Sequence, residues 1–129
     1  MRFIVKKRNI HVGSSPGEKF VLVPDKGETI KFDKLADVIG QMSTVHRSDA
    51  KATLDVLGAA MLFYLSEGHS VKVNGLGTFY PKIRTKSEDE LEELGATNIQ
   101  SISIGFTPSV ELRNKMKNVP INIKPYEED

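Results

Sequence analysis

The 129-residue chain is predicted to be an α+β protein, because its apolar residues change period twice along its length. The first third alternates loosely with a period near 2. Residues 32–65 then repeat at helical spacing, and residues 71–106 return to alternation. The predicted architecture is a helical hairpin followed by a β-sheet with a β-arm and a short C-terminal helix, preceded by an N-terminal β-hairpin extension.

The extension comes first. "MRFIVKKRNI" alternates loosely, "VGSSPGE" is a turn-rich break, and "KFVLVPDKGETI" is an apolar, β-branched run closed by the turn signal Asp25-Lys26-Gly27. In the first helix Phe32, Leu35, Ala36, Ile39 and Met42 form one apolar stripe, and Asp33 sits in the first turn, where the helix dipole favours an acid. "MSTVHRSD" interrupts the pattern. From Asp49 onward Leu54, Leu57, Met61 and Leu65 resume it, Ala59 and Ala60 permit close packing, and Gly68 supplies a stop. Between Val56 and Leu65 this second helix is apolar nearly all round, with Gly58 inside it at a cost of about 1 kcal/mol against alanine. A chain this small has little to bury both faces against, and an intertwined dimer would account for the pattern.

"SVKVNGLGTFYPKIRTK" places Tyr80, Lys82, Arg84 and Lys86 on one parity and Phe79, Pro81 and Ile83 on the other. Pro81 cannot donate a ladder hydrogen bond, so its strand is expected to be an edge or bulged there. "SEDELEELGA" is an acidic insert, and "NIQSISIGF" is a further strand with Ile102, Ile104 and Phe106 on one face. "PSVELRNKMK" reads as the short helix, with Pro108 near its first turn and Arg113, Lys115 and Lys117 in its last. The expected domains are 1–29, the extension; 30–118, the main domain; and 119–129, a tail.

Composition narrows the function classes. A hydrophobic share of 39% and a charged share of 27% describe an ordinary soluble chain with a modest core. With no cysteine there is neither a disulfide framework nor a thiol nucleophile, which fits a cytoplasmic setting. No apolar run approaches the ~20 residues of a membrane span, and Met1 to Ile10 lacks the apolar core of a secretory signal. The net charge of +1 means that any polyanion binding must rest on where the charges sit.

Gly75 and Gly77 do not open a phosphate loop. Tyr80 stands where a dinucleotide fingerprint needs its third glycine, no Gly-Lys-Ser/Thr is present, and a strand follows where a helix is required. They are expected to form a turn or kink between strands. His11, His46 and His69 lie far apart without metal-ligand spacing, and no nucleophile elbow is present. The chain is therefore expected to be no enzyme and to need no cofactor, metal or small-molecule substrate. The acidic run from Glu88 to Glu93 is either a solvated helical turn or a charge that repels phosphates from the neighbouring cations. Lys82, Arg84 and Lys86 are equally open to two readings, an edge protected against aggregation or a nucleic-acid contact.

The order helix, helix, strand, "GLGTF", basic strand, interruption, strand, "GFTPSVELRNKMK" resembles the HU/IHF family of bacterial histone-like DNA-binding proteins, and in particular its longer branch with an extra segment before the first helix. The resemblance covers about Ile30 to Lys117, and "GLGTF" ahead of a basic strand is its most specific part. It implies an intertwined homodimer in which Leu54, Leu57, Met61, Phe79 and Phe106 build a shared core. It also implies sequence-indifferent binding of double-stranded DNA, mainly to backbone phosphates, in the cytoplasm as part of the nucleoid. The cations expected to take part are Lys82, Arg84, Lys86, Arg113 and Arg47, helped by Lys6, Lys7 and Arg8. The family's arm-tip proline, which wedges between base steps, has no counterpart: Ser87, Glu90, Leu91 and Glu92 stand at the matching distances, and Pro81 lies at the arm's root. His46 stands where the family often has serine. The competing expectation is an HU-like dimer turned into a protein-interaction module; a minor one is single-stranded or RNA binding with Tyr80 as a stacking platform.

Overall fold

The computed structural model describes residues 1–11, 13 and 16–128. In order the elements are β1 (Arg2–Ile10), β2 (Gly17–Pro24), α1 (Phe32–Met42), α2 (Arg47–Leu65), β3 (Val71–Val73), β4 (Gly77–Thr85), β5 (Ile99–Pro108), α3 (Val110–Lys117) and β6 (Asn122–Lys124). They form two units: Met1–Thr29 with Met116–Asp129, and Ile30–Lys115.

The first unit is a three-stranded sheet in the order β2-β1-β6. β1 and β2 pair antiparallel from Phe3↔Pro24 to Ile10↔Gly17, as their alternating apolar residues require. In the break between them, Val12, Ser14 and Ser15 lie outside the described residues. Residues 119–129, expected as a tail, contribute a strand instead: β6 runs parallel to β1, with Ile123 opposite Phe3. Its alternation is too short to show in sequence. Tyr126 adds an edge-on contact to Phe20, with ring centroids 5.2 Å apart.

In the second unit α1 and α2 form the helical hairpin. α2 begins at Arg47, two residues before the sequence pattern indicates, because His46 caps it: the imidazole Nδ1 accepts the Ser48 backbone N–H at 3.2 Å and lies 2.8 Å from the Ser48 hydroxyl. Of the α1 stripe, Ala36 is buried and Ile39 half-buried, whereas Met42 is 81% exposed. Among the described residues the buried apolar side chains are Ala36, Ala50 and Leu65, so the unit has almost no core of its own.

β3, β4 and β5 form an antiparallel sheet in that order. Gly75 has a φ of +79°, and the Leu76 N–H closes the turn onto the Val73 carbonyl at 3.0 Å, so the first glycine makes the β3–β4 hairpin. Gly77 serves closeness rather than turning: a Cβ there would stand 2.7 Å from the Phe106 ring. β3 covers β4 only from Gly77 to Phe79, so β4 has a free edge at Pro81, which needs no donor on that side. Pro108, expected inside α3, instead closes β5 opposite Gly77, and the Ser109 hydroxyl caps the helix by accepting the Leu112 N–H at 3.1 Å.

Candidate nucleic-acid interface

The β4–β5 ladder separates two chemistries by the pleat. On one face Tyr80 stands opposite Gly105, Lys82 opposite Ser103 and Arg84 opposite Ser101. On the other, Phe79 meets Phe106, Pro81 meets Ile104 and Ile83 meets Ile102. The polar face is the candidate interface. Lys82 and Arg84 sit two positions apart, about 6.8 Å along the strand, and border a cleft of about 350 Å³ with Ser101 and Ser103. Both are exposed, and among the described residues neither has an acidic partner. An ammonium and a guanidinium flanked by hydroxyls suit phosphate oxygens, which take charge-assisted and neutral hydrogen bonds alike.

The other three cations named from sequence differ from one another. Lys86 lies one residue past the end of β4, beyond a ladder irregularity at Arg84/Thr85, and its backbone is tied to Asn98: the Lys86 N–H donates to the Asn98 carbonyl at 2.8 Å. Arg113 is exposed on α3. Arg47 is committed within the hairpin, where its guanidinium binds the Asp37 carboxylate and approaches that of Asp33 at 3.9 Å. Its charge is largely compensated inside the chain. The nearby Lys51 is held above its ordinary pKa by a hydrogen bond and charge interaction with Asp55 at 3.0 Å.

Asn98 is a site residue that the sequence does not announce. It is 7% exposed; its Nδ2 donates to the Lys86 carbonyl and to Glu88 Oε1, both at 3.0 Å, and its Oδ1 accepts the Gly95 N–H at 2.9 Å. The acidic segment is thereby folded back into a compact cap with a 3-10 turn at Leu91–Glu93, and it does not extend the ribbon. No periodicity marks such a residue, because its role comes from groups distant in sequence that the fold brings together.

The apolar face and α2 hold the residues named for a shared core. Leu54, Met61 and Phe79 are half-buried, while Leu57 and Phe106 are exposed, as are Phe63 at 65% and Ile102 at 69%. Among the described residues no three His, Asp or Glu side chains gather as metal ligands, and no helix is long and apolar enough to cross a membrane.

A helical hairpin followed by a two-faced ribbon and a short helix defines a protein of the HU fold. The chain belongs to the HU-HIG family, the HU domain fused to a wHTH, Ig or glycine-rich motif, whose model matches residues 1–122. Among solved structures it is similar to a proposed bacterial DNA-binding protein from Bacteroides vulgatus, at 17% identity and a TM-score of 0.63, over 95% of this chain. It spans 47% of the length of that protein. It is also similar to HU of Anabaena in a cocrystal with DNA, at 19% identity and a TM-score of 0.53, over 70% of this chain and 100% of that one. No curated protein matches it by sequence.

Proposed function

We propose that the chain is a non-enzymatic, histone-like protein that binds duplex DNA as a homodimer, through backbone phosphates and without sequence preference, as part of the nucleoid. The observation that carries this reading is the acid-free face of the β4–β5 ribbon, where Lys82 and Arg84 stand among Ser101 and Ser103. Membership in an HU family supports it. The dimer is supported by the exposed apolar surface of α2 and of the ribbon's other face, which a lone chain of this size would leave in water. Arg113 supplies a further phosphate contact and Lys86 a weaker one, since its backbone is anchored beside Glu88. With the acidic cap in place of a proline-tipped arm, the bound duplex is held without an intercalating wedge.

Fluorescence anisotropy of a labelled random-sequence duplex at several salt concentrations tests this. If only four phosphate contacts form per dimer, Lys82 and Arg84 of each protomer, the log–log salt slope is about −3.6, and each further contact steepens it by about 0.9. Charge reversal of Lys82 and Arg84 that left affinity and slope unchanged would sink the ribbon assignment. Absence of binding by the parent chain at low salt would shift the reading to an HU-like protein-interaction module.

A further inference from the structure

The sheet of the first unit sorts its charged residues by face. Strand pairing puts Arg2, Ile4, Lys6 and Arg8 on the same side as Lys19, Val21 and Val23, and β6 adds Lys124 opposite Ile4. Every charged strand residue of this face is a cation. The other face carries Phe3, Val5, Phe20 and Leu22 with one cation and one acid, Lys7 and Glu18, which pair with each other at 3.1 Å. Lys7 also stands 5.9 Å above the Phe20 ring. Its charge is engaged, and it faces away from Lys6 and Arg8.

On the basic face the cations are unequally available. Arg2 reaches Asp25 at 3.5 Å, and Lys124 shares a cleft with Glu127. Lys6 and Arg8 are exposed and have no acidic partner among the described residues. With Lys26 they line a cleft of about 560 Å³ whose apolar lining includes Ile4 and Val23, and its one acid, Asp25, is the carboxylate that Arg2 engages.

We infer that this face is a second phosphate-binding surface for duplex DNA, with Lys6, Arg8 and Lys26 as its working cations. The inference rests on the DNA-binding reading above and adds a contact in the other unit. Lys6 and Arg8 project from alternate positions about 6.8 Å apart, and each strand of duplex DNA presents one charge per about 3.4 Å of axis, so a backbone laid across the cleft meets both without a base being read.

The test uses the full chain and the same labelled duplex between about 50 and 200 mM salt, the span over which phosphate contacts register most strongly. Three variants are compared with the parent: Lys6→Gln/Arg8→Gln/Lys26→Gln, Lys7→Gln, and Lys82→Gln/Arg84→Gln. Circular dichroism melts verify that each remains folded, and Lys6→Arg/Lys26→Arg, which keeps the charge, is expected to bind as the parent does. The triple variant is expected to shallow the salt slope by about 0.9 for each phosphate it no longer neutralises, and Lys7→Gln to leave it unchanged. A triple variant that binds like the parent while Lys82→Gln/Arg84→Gln is weakened overturns the inference and leaves the ribbon assignment standing. The reverse pattern supports the inference and overturns the ribbon. A parent chain that binds no duplex overturns both.

Discussion

The rings of Phe79 and Phe106 lie 4.6 Å apart, centroid to centroid, as direct partners across the β4–β5 ladder. The Phe106 ring reaches over Gly77, so the second glycine of "GLGTF" is the space in which the aromatic pair of the ribbon's apolar face is seated. The stretch that invites a phosphate-loop reading is thus a packing device, and its two glycines serve different ends.

That difference is measurable. Gly77→Ala must displace the Thr107 carbonyl and the Phe106 ring, at a φ of +156° that disfavours a side chain, and is expected to lower unfolding stability by roughly 2–3 kcal/mol. Gly75→Ala meets nothing within 4 Å and incurs only the strain of its positive φ, about 1 kcal/mol. Denaturant titrations of the two variants should rank them in that order; equal losses would show that the ring contact is not what the glycine protects.

Asn98 holds the acidic cap closed. Asn98→Ala removes two donated bonds and one accepted bond from a nearly buried position, and a loss of about 1–3 kcal/mol is expected, confined mostly to the cap. Hydrogen exchange should quicken at the Lys86 and Gly95 amides while α2 keeps its protection. Asn98→Asp keeps the acceptor for Gly95 but sets a second carboxylate against Glu88, so it should be the more damaging change near neutral pH and recover as the carboxyls protonate.

Periodicity made α1 and the ribbon legible, since period 3.6 over residues 32–42 and strict alternation over 79–84 each leave a clear apolar face, while α2 was marked by its long apolar run and the Gly68 stop. The pairing of Lys82 and Arg84 on one face was legible for the same reason. β6 was not, because three residues carry no measurable alternation and the partner β1 lies at the far end of the chain. Nor was the compensation of Arg47, which depends on Asp33 and Asp37 coming round on the neighbouring helix. Strand alternation alone sends Lys7 to the face opposite Lys6; what needed the structure was the register with β2, which sets the residues that share each face.

The exposed apolar surface of α2 yields a prediction about assembly. Leu57 is 39% exposed, and burying a leucine side chain contributes about 1.5–3 kcal/mol. Only that exposed part is left to bury, and in the proposed symmetric dimer it is counted twice. Leu57→Glu is therefore expected to raise the dimer dissociation constant by at least about 10-fold, which sedimentation equilibrium over a concentration series would detect as a shift to monomer. An unchanged mass for Leu57→Glu would remove α2 from the interface.

Arg47 and Arg84 are both exposed arginines of the second unit, and the structure separates their roles. Arg47 links α2 to the Asp33 and Asp37 carboxylates of α1, a half-exposed cluster worth no more than about 1 kcal/mol after solvent screening. Arg84 has no acidic partner among the described residues and stands opposite Ser101 on the polar face of the ribbon. Arg47→Gln should lower the melting temperature slightly, more at low salt than at high, and leave the salt slope of DNA binding where it was. Arg84→Gln should leave the melt unchanged and shallow the slope by about 0.9 for each phosphate that Arg84 neutralises in the parent. The two variants carry the same formal charge, so a shared loss of affinity without a change of slope for Arg84→Gln would mean that overall charge, and not the ribbon face, governs binding.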